Sequence, residues 1–278
     1  MKLSFSTLGC PNWSFDDILR KGPEYGFEGV AFRALGGALD LTKAPEFAPG
    51  ERARSRARLA EAGLAASMIC TSAKMLIADP EELEASQRSA EAHIDLAADL
   101  GCPSIRVFGG PIAPGVSHAA AIHRAAERLR RLGDHAATTG VLVLLETHDD
   151  FLRPDFVRRV MEATAHPNVG VLWDIGEQAR IVGRRAEEVW ANLGPWIRAC
   201  DLKDSVTDLS APMGYRFVPT GEGELPLTDA LNLLVRENYD GWLTFEWEKR
   251  WQPDIAEPEI VFPHFTRTVR GMLARAAA

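Results

Sequence analysis

The segment LLETHDD, residues 144–150, places titratable side chains directly after an apolar run. Glu146 and His148 are two positions apart, so in an extended chain their side chains point to the same side. A carboxylate and an imidazole placed in this way can transfer protons or bind a metal ion. A loop that only reversed the chain would more often use glycine, asparagine or proline. The segment therefore predicts a site of chemistry.

Acidic residues also mark three later apolar runs. Asp174 ends VGVLWD, Asp201 lies within IRACDLK, and Glu246 follows GWLTF. One acid after a strand is often a helix N-cap or a salt-bridge partner. If these strands end at one rim together with Glu146, however, four carboxylates meet and repel each other, which raises their pKa values. A divalent cation is the simplest compensation, and oxygen ligands favour Mn²⁺ or Mg²⁺, with Co²⁺ as an alternative.

The elements that must position these residues alternate along the whole chain. Apolar runs predict strands at 2–8, 29–35, 64–70, 104–110, 141–147, 169–175, 197–203 and 241–247. Amphipathic stretches between them predict helices at 14–26, 49–63, 79–101, 117–140, 153–165, 185–194, 227–239 and 257–274. This alternation indicates parallel βαβ units, and eight units in about 250 residues are typical of a (β/α)8 TIM barrel. A doubly wound open sheet is the main alternative, but no GxGxxG follows the first strand.

Composition and charge narrow the class of protein further. The chain has 278 residues, a net charge of −8 and four cysteines without a CxxC spacing. Without a linker, we predict one domain over residues 1–278. The acidic charge argues against a nucleic-acid partner. No apolar stretch is long enough to span a membrane, and the first ten residues, MKLSFSTLGC, do not resemble a signal peptide. These features predict a cytoplasmic protein with reduced cysteines.

Polar and aromatic residues at the strand ends are candidates for substrate binding, because TIM barrels carry their chemistry at that face. Arginines there can bind hydroxyls, a carboxylate or a phosphate, and aromatic rings can cover the C–H face of a sugar or simply pack. The predicted substrate-binding residues are Arg33, Arg106, Phe108, Trp173, Glu177, Lys203, Arg216 and Trp247. Arg216 lies in the segment 203–225, which we predict to be a substrate-covering loop. The other histidines, at 93, 118, 123, 135, 166 and 264, are expected at the surface or at helix caps.

The chain resembles the xylose isomerase-like TIM barrel superfamily, the sugar phosphate isomerase/epimerase group, over essentially its whole length. The stretches that carry the resemblance are FSTLGCPNWSFDDIL (5–19), FRALGG (32–37), IRVFGG (105–110), LLETHDD (144–150), VGVLWDIGE (169–177), CDLKDS (200–205), PTGEGELPL (219–227) and YDGWLTFEWEKRW (239–251). Their order and spacing are specific for the superfamily and much less so for a substrate.

The resemblance implies one divalent metal held by Glu146, Asp174, Asp201 and Glu246. Relatives commonly have a histidine at the position of Asp201, where HLKD becomes DLKD, and a second histidine at the position of Glu177. These departures leave a degenerate site as an alternative. An additional carboxylate favours Mn²⁺ or Mg²⁺ over Zn²⁺.

The resemblance also implies a reaction class. A sugar isomerase or epimerase would remove a proton next to the carbonyl of a keto-sugar or polyol, through a metal-stabilised enediolate. Glu146 and Glu246 are the implied catalytic bases, and His148 is the rival base. The alternatives are a lyase or dehydratase acting on an inosose, a dehydroshikimate-like acid or a 3-keto-glycoside, and a non-catalytic sugar-binding barrel. An endonuclease IV-like activity is disfavoured because it needs more histidine ligands. A homodimer or homotetramer is common in the family.

Overall fold

The computed structural model describes residues 1–277 and confirms the predicted (β/α)8 barrel. Across these residues the parallel barrel strands are β1 (Lys2–Ser6), β2 (Gly29–Phe32), β3 (Ala65–Lys74), β4 (Ser104–Phe108), β5 (Leu142–Glu146), β6 (Val169–Asp174), β7 (Ile197–Leu202) and β10 (Trp242–Phe245). The barrel closes where β10 pairs with both β1 and β7. All eight predicted strands are therefore present, most of them shorter than predicted at the C-terminal end.

The helices surround the strands as predicted, with one addition. They are α1 (Phe15–Glu24), α2 (Arg52–Glu61), α3 (Pro80–Leu100), α4 (His118–Ala137), α5 (Pro154–Thr164), α6 (Ile175–Val182), α7 (Ala186–Leu193), α8 (Leu227–Arg236) and α9 (Pro258–Ala276). Helix α6 was not predicted from the sequence. It begins directly at the end of β6, where the Asp174 side chain accepts a hydrogen bond from the backbone N–H of Glu177 and caps the helix. Within residues 1–277, no helix is both long and apolar enough to cross a bilayer.

The segment 203–225 was predicted to be a loop but contains an antiparallel hairpin. Strand β8 (Asp204–Thr207) pairs with β9 (Tyr215–Val218) outside the barrel sheet. The Asp204 carboxylate fixes the stretch that follows, because it accepts hydrogen bonds from the backbone N–H groups of Gly221 and Gly223, at 2.8 and 3.1 Å. A Cβ atom at Gly223 would lie 1.9 Å from Asp204 Oδ1, so the close approach requires glycine there.

The barrel interior has two layers of different chemistry. Its lower layer is a small apolar cluster of buried side chains that alternate along the strands: Ala31, Met68, Cys70, Leu144, Leu172 and Ala199. The outward-facing residues of the same strands belong to the larger core that packs against the helices. Side chains in a strand alternate between faces, so the residue two positions beyond a lower-layer residue also points inward. This rule places Arg33, Glu146, Asp174 and Asp201 directly above the lower layer.

His93 corrects the expectation that the histidines outside the site lie at the surface. It is 2% exposed on α3, its Nδ1 lies 2.7 Å from the carbonyl oxygen of Ser89, and its Nε2 lies 3.7 Å from Asp40 Oδ1. Burial, which disfavours the charged imidazole, lowers the pKa of His93. The unfolded chain therefore binds a proton at His93 more readily than the folded chain does.

We expect the contribution of His93 to the free energy of unfolding to fall as the pH drops below the ordinary histidine pKa of about 6.5. The contribution of His93 is present above that pH and is lost below it. Urea unfolding of wild type and of His93→Gln at neutral and mildly acidic pH checks this, and the variant should lose less stability on acidification. His123→Gln, at an exposed histidine of α4, is the matched control and should behave like wild type. An unchanged pH dependence in His93→Gln would contradict the assignment.

Candidate active site

Three carboxylates converge at the upper end of the barrel interior. Glu146, Asp201 and Glu246 each offer one oxygen, and these oxygens lie within 4.8 Å of one another. All three residues are buried. Burial, together with the neighbouring Glu246 and Glu146, raises the pKa of the Asp201 carboxyl well above its usual range. These three residues were predicted as metal ligands, and the structure brings them together.

Asp174, the fourth predicted ligand, lies beside the cluster but has other partners. It is paired in register with Asp201 on the neighbouring strand. Its Oδ1 accepts the N-cap hydrogen bond from Glu177 at 2.9 Å, and its Oδ2 lies 2.9 Å from Lys203 Nζ. The cluster within 4.8 Å does not include Asp174. Its role as a metal ligand stays a prediction.

Lys203 is the central cation of the site. Its Nζ lies 2.6 Å from Glu246 Oε2 and 3.0 Å from Glu248 Oε1, in addition to its contact with Asp174. The side chain is only 3% exposed. Burial raises the pKa of the Glu246 carboxyl, but the Lys203 ammonium outweighs burial, and the pKa lies below its usual value. Lys203 therefore keeps Glu246 ionised.

Arg106 compensates Glu146 on the opposite side of the cluster. Its Nε lies 3.0 Å from Glu146 Oε2, with both side chains buried, although this contact lacks hydrogen-bond geometry and acts by charge. Arg106 Nη1 donates a 2.8 Å hydrogen bond to the carbonyl oxygen of Thr71, and the guanidinium lies 3.8 Å from the centre of the Phe108 ring. These contacts fix the guanidinium at the edge of the site.

His148 is held by the acid that follows it in the chain. Its Nδ1 lies 3.1 Å from Asp149 Oδ1. Burial alone would lower the pKa of His148, but Asp149 and Glu146 outweigh it and raise the pKa to about 9. The imidazole is then cationic at neutral pH. This favours His148 as a proton donor, whereas the sequence suggested a base.

A polar cavity of about 240 Å³ opens onto this cluster. Its lining consists of Leu8, Arg33, Arg106, Phe108, Glu146, His148, Lys203, Glu246, Glu248 and Trp251. Two predicted aromatic residues do not line it. Trp173 is buried on the outer face of the barrel, beside Gln178, and Trp247 is buried with its Nε1 donating to the carbonyl oxygen of Ala256. Both lie next to an inward-facing acid, so strand alternation turns their rings outward.

Two further predicted residues lie outside the cavity. Glu177 is partly buried in the first turn of α6. Arg216 on β9 is mostly exposed, 3.6 Å from Asp208, and lines a neighbouring groove. The predicted site residues also omit Leu8, Glu248 and Trp251, which line the cavity. The position of Glu248, two residues after Glu246, was the available signal, because it places both on one side of an extended segment.

The donor set of the site suits a hard divalent cation. Glu146, Asp201 and Glu246 supply oxygen atoms alone, which Mg²⁺ and Mn²⁺ prefer. Buried Asp201 Oδ1 has no hydrogen-bond partner among residues 1–277, and such an atom normally needs one. A cation beside the three carboxylates would satisfy it. The residues present therefore fit the metal that the sequence predicted.

Fold and site together define the class: a (β/α)8 barrel with a carboxylate-rich mouth. The family model described as Xylose isomerase-like TIM barrel matches residues 19–262. A 2-oxo-tetronate isomerase from Pectobacterium atrosepticum is 24% identical over 196 residues, which cover 66% of this chain and 71% of that protein. The match to the family model spans most of the chain, so the protein belongs to the xylose isomerase-like TIM barrel family.

Solved structures agree with the fold. The probable 3-DHS dehydratase AsbF of Bacillus anthracis, involved in petrobactin synthesis, is 20% identical with a TM-score of 0.78, over 97% of this chain and 99% of that chain. The IOLI protein, solved with a bound zinc atom, is 14% identical with a TM-score of 0.82, over 99% of both chains. At these identities the structures support the fold alone.

Proposed function

We propose that the protein is a metal-dependent isomerase or epimerase of a keto-sugar or related polyol. The observation that carries the proposal is the convergence of Glu146, Asp201 and Glu246, with oxygens within 4.8 Å of one another, beside a polar cavity that Glu146 and Glu246 line. The isomerase from Pectobacterium atrosepticum supports the same reaction class. A bound Mn²⁺ or Mg²⁺ supplies Lewis-acid stabilisation of the negative charge that develops on substrate oxygens.

The side chains of the site divide the remaining tasks. Glu146 and Glu246 both face the cavity, so one can remove the proton next to the carbonyl and the other can return it on the opposite face. Lys203 keeps Glu246 ionised and ready to accept a proton. Arg106 compensates the charge of Glu146, and His148 is placed to donate a proton to a substrate oxygen.

Metal content tests the first part of this proposal. We expect near-stoichiometric Mn, Mg or Co in the purified protein, by mass spectrometry, and a loss of most of that metal in Glu146→Gln. The matched control is Glu162→Gln, at an exposed residue of α5 that pairs with Arg158, and it should retain the metal. A wild-type protein that stays empty during Mn²⁺ titration would contradict the metal site.

Deuterium exchange tests the reaction class. Wild type loaded with Mn²⁺ is incubated in D₂O with a panel of keto-sugars and polyhydroxy keto acids, and NMR follows deuterium at the carbon next to the carbonyl. An isomerase or epimerase incorporates deuterium into a recovered sugar. Exchange absent from the whole panel would speak against this class.

A lyase or dehydratase is the second candidate, because His148 lines the cavity beside the carboxylates and its Nδ1 lies 3.1 Å from Asp149 Oδ1. An imidazolium beside the cavity can protonate a departing hydroxyl, whereas isomerisation releases no leaving group. The same NMR experiment separates the two, because elimination yields an unsaturated product in place of a labelled sugar.

A further inference from the structure

Arg33 is a buried cation with an unused donor at the cavity. It is 7% exposed, and its backbone N–H donates a 2.9 Å hydrogen bond to Thr7 Oγ1. Its Nη2 donates to Ser72 Oγ at 2.9 Å. Its Nη1 is buried and has no hydrogen-bond partner among residues 1–277. The side chain lines the same cavity as the carboxylate cluster.

The other cations of the cavity all have acidic partners. Arg106 lies against Glu146, and Lys203 contacts several carboxylates. His148 lies against Asp149. In the part of the chain that the structure describes, no carboxylate oxygen lies within 4.0 Å of the Arg33 guanidinium, whose closest polar side-chain partner is a hydroxyl.

A buried charge without a counter-charge is costly, and proteins normally pair it. Burial, with the like charge of Arg106, lowers the pKa of Arg33 to about 10, which still leaves it charged at neutral pH. The Arg33 guanidinium therefore remains cationic beside the reacting groups, although it is buried. An anion that enters the cavity would supply the missing partner and accept a charge-assisted hydrogen bond from Nη1.

We infer that the substrate carries a carboxylate and that Arg33 binds it, so the substrate class is a polyhydroxy keto acid. The inference rests on the proposed function, because it assumes that a sugar-like molecule reacts in this cavity. A carboxylate fits better than a phosphate, because Glu146, Glu246 and Glu248 line the same cavity and repel a dianion more strongly than a monoanion.

Binding of three matched four-carbon probes tests this inference without requiring turnover. The probes are D-erythronate, the neutral erythritol and erythritol 4-phosphate, titrated by calorimetry into the wild-type protein loaded with Mn²⁺. We expect erythronate to bind at least about tenfold more tightly than erythritol, because a hydrogen bond to a charged group has that effect. In Arg33→Gln the preference should disappear, and Arg33→Lys should restore part of it.

Arg54→Gln is the matched control, since it removes one positive charge from an exposed residue of α2. It should keep the full preference for erythronate. Equal affinity for erythronate and erythritol, tighter binding of the phosphate, or an undiminished preference in Arg33→Gln would each overturn the inference. Should Arg33→Gln fail to fold, the wild-type preference and Arg33→Lys decide the question. Deuterium exchange of neutral ketoses can succeed while this test fails, so the two proposals fail separately.

Discussion

Glu246→Gln is expected to lower kcat by about 10²–10⁴-fold, the range for loss of a general acid or base. The amide cannot accept the substrate proton, although it keeps the shape of the side chain. The measurement is the rate of deuterium incorporation into the substrate that wild type labels. The fold should persist, because Lys203 retains its contacts with Asp174 and Glu248.

Glu24→Gln is the control for this change, because Glu24 is an exposed residue of α1 whose partner is Arg20. It should exchange deuterium at the wild-type rate. If Glu246→Gln also exchanged at that rate while folded and metal-loaded, Glu246 would not be a catalytic base.

Glu146→Gln should differ from Glu246→Gln in its effect on stability. It also leaves the buried Arg106 charge without its partner, so it should lower the free energy of unfolding as well as the activity.

Lys203→Met should destabilise the metal-free protein by about 3–5 kcal/mol, the usual cost of removing one partner from a buried ion pair. The change leaves Asp174, Glu246 and Glu248 without their shared cation. Added Mn²⁺ should recover more stability in the variant than in wild type, because a ligand that binds the folded state stabilises it and the freed carboxylates attract a cation. Urea unfolding with a chelator and with Mn²⁺ measures both effects.

The control for Lys203→Met is Lys43→Met, because Lys43 is 78% exposed and pairs with Asp40 at the surface. Exposed ion pairs contribute little, so this variant should unfold with the wild-type free energy. If Lys203→Met were as stable as wild type in the presence of chelator, the ammonium would not be compensating the acids. If Mn²⁺ stabilised both proteins equally, Lys203 and the metal would act independently.

Most of the fold was predictable because the sequence pattern that indicates it repeats regularly along the chain. The strand–helix alternation fixed the eight barrel strands and the helices between them. Helix α6 was missed because Ile175 extends the apolar run of β6, while the Asp174 cap that ends the strand is a single hydrogen bond. The hairpin of β8 and β9 was missed because each strand has only four residues, although Tyr215, Arg216 and Phe217 alternate between apolar and polar.

The candidate site was partly predictable for the same reason. The acids at the strand ends indicated Glu146, Asp201 and Glu246. Side chains in a strand alternate between the two faces, and this alternation turns Trp173 and Trp247 away from the cavity. Sequence alone could not show that Lys203 would contact three acids at once. That arrangement depends on side chains from β6 and from the segment after β10, which only the closed barrel brings together.

The two layers of the barrel interior have different roles. The apolar lower layer contributes to the stability of the barrel, and the charged upper layer forms the candidate active site. The lower layer is a cluster of apolar side chains that includes none of the charged residues above it: Ala31, Met68, Cys70, Leu144, Leu172 and Ala199. Substitutions in the upper layer can therefore change the reaction while the apolar floor keeps the strands in register. We expect new substrate specificities to be selected more easily by exchanging charge-matched sets of residues in the upper layer than by altering the apolar lower layer.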